Sequence, residues 1–107
     1  MATGRLGAQD LTSTGNTEIY SVPASTFAVV TVNLANRGSS AVTVRIAVAT
    51  TTSPGNSEWI EYDSSLSGYG VLERTGIVMD ASKKIIVAAG TANQVTAMVY
   101  GIETSTS

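Results

Sequence analysis

The chain has 107 residues, the length of one domain, and a chain of that size buries roughly two thirds of its unfolded surface on folding. Only 13% of the residues are charged, and the formal net charge of -2 repels a phosphate backbone, so nucleic-acid binding is excluded as an expectation. With no Cys and no His, disulfides, thiolate metal sites, cysteine nucleophiles and imidazole acid–base chemistry are excluded as well.

No stretch approaches the roughly 18 apolar residues of a membrane-spanning helix, and the N-terminus has Arg5 but no apolar leader, which predicts a soluble chain made in the cytoplasm. Residues 1–16, MATGRLGAQDLTSTGN, are small and polar, with Leu6 and Leu11 as the large apolar groups. They read as an N-terminal arm: one that docks on a neighbouring subunit, a loose terminus, or a short edge strand. A first strand is expected at residues 17–22. The strongest period-2 alternation follows at residues 27–36, where Ala28, Val30, Val32 and Leu34 share one face, and repeats at 41–50, where Val42, Val44, Ile46 and Val48 do the same. The polar link Arg37, Gly38, Ser39, Ser40 makes these two runs an antiparallel hairpin and the expected centre of the core.

Shorter strands are expected at 58–63, 71–79, 85–89 and 94–103, separated by turn signals such as Pro54-Gly55-Asn56 and Ser67-Gly68-Tyr69-Gly70. Seven or eight short antiparallel strands without an amphipathic helix predict a single all-β sandwich, with the jelly roll as a candidate topology. The expected domain spans 17–103, followed by a polar tail at 104–107.

The run EWIEYD at residues 58–63 places Glu58, Glu61 and Asp63 around Trp59 and Tyr62. On an extended strand Glu61 and Asp63 share a face and repel unless a cation or an arginine intervenes, so pairing with Arg45 or Arg74 is expected in preference to a metal or an acid pair. Trp59, Tyr62 and Tyr69 have the ingredients of a sugar-stacking platform, though a lone Trp beside a strand more often serves core or interface. The many hydroxyls have no activating base, and Gly68-Tyr69-Gly70 lacks the rest of a nucleotide-binding fingerprint. Neither catalytic residues, a cofactor nor a metal is expected.

The stretches VPASTFAVVTVNLANRGSSAVTVRIAVAT (22–50), EWIEYD (58–63), GVLERTGIVMDASKKIIV (70–87) and VYGIE (99–103) resemble small structural proteins of marine cyanophages and related tailed bacteriophages. The resemblance implies a non-enzymatic virion protein: a capsid decoration or cement protein resting on the major capsid protein, or a tail, fibre or neck accessory. A glycan-binding module for host attachment is the alternative drawn from the aromatic cluster. A surface this poor in charge predicts a homo-oligomer, with a trimer suited to three-fold positions on a head. The expected assembly contacts are Arg5, Leu6, Leu11, Trp59, Tyr62 and Tyr69.

Overall fold

The computed structural model describes residues 3–106. They form eight strands: β1 (Thr3–Asp10), β2 (Thr17–Ser21), β3 (Thr26–Asn36), β4 (Val42–Ala49), β5 (Trp59–Leu66), β6 (Val71–Met79), β7 (Lys84–Ala89) and β8 (Val95–Ser105). Two four-stranded antiparallel sheets pack face to face, sheet A in the order β1-β8-β3-β6 and sheet B in the order β2-β7-β4-β5. Strands pair first with last, second with seventh, third with sixth and fourth with fifth, which is the jelly-roll wrapping of one long antiparallel hairpin.

The alternating runs build the interior as their period dictates, but the expected hairpin is corrected: β3 pairs with β6 and β8 in sheet A and β4 with β5 and β7 in sheet B. The polar link 37–40 therefore crosses from one sheet to the other, and the two runs face each other across the core. Ala28, Val30, Val32 and Leu34 of β3 meet Val42, Val44 and Ile46 of β4, joined by Ile85 and Val87 of β7 and by Val95, Ala97 and Val99 of β8, all buried. Inner and edge strands differ in regularity. The inner pairs β3–β8 and β4–β7 run without interruption, whereas each of the four edge strands carries a register shift. In three of them the extra residue is apolar and turns inward: Leu6 in β1, Ile19 in β2 and Ile60 in β5 all pack on the core. In β6, Thr75 and Gly76 together oppose Thr31, and Gly76 takes the left-handed conformation, φ 69°, that this bulge requires. The bulges therefore close the open sides of the sandwich and spoil each edge as a template for a further strand.

Side-chain hydrogen bonds fasten the sides and one end. On the β5/β6 side Arg74 donates to Glu61 at 2.5 Å, and on the β1/β2 side Gln9 donates to the Glu18 carbonyl at 2.8 Å. The buried Asn36 is the hub of one end. Its amide donates to the carbonyls of Ser40, Leu66 and Ser67, and its oxygen accepts from the Gly38 N–H and the Gln94 side chain, so three turns share one anchor. Between the sheets, the buried Tyr20 hydroxyl donates to the Glu103 carboxylate at 2.5 Å. Burial, and then the neighbouring carboxylate, push the Tyr20 hydroxyl far above the usual phenol range.

Of the readings open for the N-terminal segment the structure shows the edge strand, and the polar tail is corrected. Of the arm, residues 3–10 are a strand hydrogen-bonded to β8, because that edge of sheet A offers backbone partners even to a segment with few apolar groups. Of the tail, residues 104 and 105 continue β8 beside β3. Met1, Ala2 and Ser107 lie outside the described residues.

Candidate functional site

The aromatic and acidic residues of EWIEYD lie on and around the outer face of sheet B, arranged by two bulges in β5. Trp59 is in register with Ala47 and Glu61 with Ile46, which leaves Ile60 as an extra residue. Glu61 then faces inward, while Tyr62 and Asp63 together oppose Arg45, and Asp63 adopts φ 52° to make the bulge. A regular strand would send Trp59 and Tyr62 to opposite faces; here they meet edge to face with ring centroids 5.4 Å apart.

The Arg45 guanidinium completes the cluster. It lies 3.9 Å from the Tyr62 ring centroid and 5.8 Å from that of Trp59, and donates to both oxygens of Asp63 at 2.6 and 3.1 Å. That hydrogen-bonded pairing holds the Asp63 carboxyl below the usual carboxylate range and raises Arg45 further. Glu61 is turned away to other partners: Ser64 donates to it at 2.5 Å and Arg74 binds its second oxygen, and these bonds lower its pKa against the opposing effect of burial. The two carboxylates that share a face in a regular strand are thus separated, each with its own arginine, as the choice between Arg45 and Arg74 anticipated.

Beside the cluster lies an open depression of about 360 Å³ with Thr14, Asn16, Thr43, Arg45, Asp63 and Gly90 among its walls. Its charged groups are already engaged with each other, and Arg45 lies over one face of the ring of Tyr62, which is 57% exposed. Among the described residues no group of three or more His, Cys, Asp or Glu comes together in a way that would hold a metal ion.

The rest of this outer face is covered by the chain itself. Ala47, Ala49 and Ile86 point away from the main core yet have no exposed surface, and Trp59 packs against them. The connection between β4 and β5 runs back across β7, because the Asn16 amide, adjacent to the residue paired with Val87, donates to the Thr52 carbonyl at 3.0 Å. A loop laid over the sheet in this way encloses a second, smaller apolar cluster.

The outer face of sheet A is different. In register across it lie Ile102, Val29 and Val78, with Phe27 beside them and Val71 at the far end. Val78 is 71% exposed, Val71 61%, Ile102 50% and Phe27 37%. Its charged groups are Arg5 and Asp10 on β1 and Glu73 on β6. Asp10 pairs with Arg37 and Glu73 accepts from the Tyr100 hydroxyl, whereas Arg5 is the one basic side chain without a carboxylate partner among the described residues. Of the exposed apolar side chains on this face, none was among the assembly contacts anticipated from the sequence; the signal available was the outward set of the β3 alternation, Phe27 and Val29, opposite the buried one.

The six expected contact residues therefore scatter. Leu11 is 1% exposed in the chain's own core and is not a knob for a neighbour, and Leu6 packs inward through its bulge, because β1 belongs to the sheet. Trp59 is spent on the satellite cluster, and Tyr62, though 57% exposed, has Arg45 over one ring face. Arg5 and Tyr69 are exposed, Tyr69 at the tip of the β5–β6 turn and far from the other two aromatic residues in role: its backbone N–H donates to the Gly38 carbonyl. In comparisons with known proteins, no family model and no curated sequence matches the chain.

Proposed function

We propose that the chain is a non-enzymatic structural subunit of a tailed-phage virion, working as a capsid decoration or cement protein that contacts the major capsid protein. The observation that supports this reading is the outer face of sheet A, where four large apolar side chains stand exposed, while on the outer face of sheet B the apolar residues Ala47, Ala49 and Ile86 are buried beside Trp59. A rigid sandwich with bulged edges and one uncovered face is suited to work by surface contact, and the sequence resemblance supplies the virion as its setting. The glycan-module alternative has less behind it, since Trp59 packs on the satellite cluster, Arg45 lies over one face of Tyr62 and Tyr69 stands apart on the β5–β6 turn.

The test is copy number and reconstitution. Purified protein added to phage heads lacking it should bind the head surface in many copies and raise the temperature at which heads release their genome. Binding in few copies at the tail, fibre or neck would transfer the protein to the accessory class, and no binding to particles would sink the virion reading.

A further inference from the structure

We propose that the outer face of sheet A seats a second copy of this chain, the two copies stacked face to face about a two-fold axis that runs along the strands. The proposal rests on reading the chain as an assembly subunit and adds the occupant of the uncovered face.

Area comes first. Four strands spaced about 4.8 Å apart, with lengths of roughly 27 to 36 Å, present a face on the order of 600 Å² in projection. Two such faces in contact bury about twice that, just above the roughly 1,000 Å² expected of a specific interface. Because every edge strand is bulged, association by adding strand to strand is obstructed, and stacking of faces is the route left open.

The side-chain pattern then selects the axis. A two-fold axis along the strands lays β8 of one copy over β3 of the other, so Ile102 and Val29, neighbours in register, exchange places and apolar meets apolar. The same axis lays β1 over β6. Arg5, which has no carboxylate partner among the described residues, is thereby carried over the strand that holds Glu73. The levels are close: Arg5 stands at the level of Tyr100 and Thr31, and Glu73 at that of Met98 and Asn33, two residues along. An arginine side chain spans that gap of about 7 Å, as the Tyr100 hydroxyl does in reaching Glu73 at 2.5 Å. Each interface would contain this pair twice, by symmetry. An axis across the strands would instead place β1 on β1 and leave Arg5 without its carboxylate. Asp10, the remaining charge on the face, falls opposite Val71 under this axis and keeps its pairing with Arg37 at the end.

Sedimentation equilibrium of the purified chain over a range of concentrations tests this. The wild-type chain should form a dimer, and Val78→Asp combined with Ile102→Asp should weaken it by more than about tenfold, two desolvated charges costing at least that in affinity. Circular dichroism should show this double variant and each single one folded, since the substituted side chains are at least half exposed. Arg5→Glu or Glu73→Arg alone should weaken the dimer several-fold, and the double exchange should restore it. A chain that remains monomeric, a trimer in place of a dimer, a dimer indifferent to Val78→Asp, or a charge exchange without recovery would each overturn the proposal. The two readings fail separately: a dimer that ignores heads sinks the virion role alone, and a monomer that decorates heads sinks the dimer alone.

Discussion

The outer faces of the two sheets start from the same alternation of side chains and end in opposite states. On sheet B the outward residues Ala47, Ala49 and Ile86 lose all exposure because the connection between β4 and β5 returns over them and Trp59 packs alongside. On sheet A the outward residues Val29, Val78 and Ile102 form a comparable row, of which Val29 is half-buried and Val78 and Ile102 remain exposed. Position on a strand therefore does not decide whether an outward side chain contributes to folding; what the loops cover does. Sheet B buries the apolar residues Ala47, Ala49 and Ile86 within one chain, whereas sheet A leaves apolar area exposed.

The largest expected contrast uses one substitution on each face. Ile86→Asp puts an unpaired charge where there is no exposed surface, a loss of about 3–5 kcal/mol against a total stability of roughly 5–15 kcal/mol. Val78→Asp, measured at concentrations where the chain is monomeric, should fall within about 0.5 kcal/mol of wild type. Urea unfolding followed by circular dichroism reads both, and similar losses at the two positions would erase the distinction between the faces.

Deleting residues 2–10 comes next. It removes β1, narrows sheet A to three strands, uncovers the β8 edge and takes Leu6 from the core margin. The cost should be on the order of 2–4 kcal/mol, from one lost apolar contact and several backbone hydrogen bonds. A truncated chain with an unchanged unfolding midpoint would mean that β1 is an appendage after all.

That strand marks the boundary of what the sequence discloses. Residues 27–36 and 41–50 are legible because each buries every second side chain, and the expected ends fall within one or two residues of β3 and β4. Thr3–Asp10 buries almost nothing, so no alternation exists to read, and its strand conformation comes from backbone bonds to β8, a segment some ninety residues away in sequence. The EWIEYD site was half legible. The opposite charges Arg45 and Arg74 flagged the partners of Asp63 and Glu61, but the bulges that turn Trp59, Tyr62 and Asp63 to one side depend on register with β4 and leave no periodic trace.

Trp59→Ala probes the cover on sheet B more gently. Trp59 is half-buried against the satellite cluster, so its loss should cost about 2 kcal/mol, below the 3–5 kcal/mol typical of a fully buried Trp. Phe27→Ala on sheet A should leave the monomer close to wild type and weaken only the dimer. Equal effects on monomer stability would show that Trp59 covers no more than Phe27 does.

Asp63→Asn should have the smallest effect on stability and the most specific signature. Asn tolerates the left-handed conformation that Asp63 occupies at φ 52°, so the bulge survives and only the charge facing Arg45 is removed. Arg45 and Asp63 are both solvent-accessible, and an exposed pair, even a bidentate one, is largely screened. The unfolding midpoint at neutral pH should therefore shift less than for any substitution above. Arg45 lowers the Asp63 pKa in the folded chain, so the folded state binds its proton less readily than the unfolded chain does. The contribution of the pair is thus fully present above the ordinary aspartate pKa and disappears as pH falls through the lowered one. Wild type and Asp63→Asn should differ slightly at neutral pH and converge in acid, with added salt shrinking the difference at neutral pH. A gap that persists unchanged in strong acid would place the effect of the substitution in the bulge geometry and not in the charge.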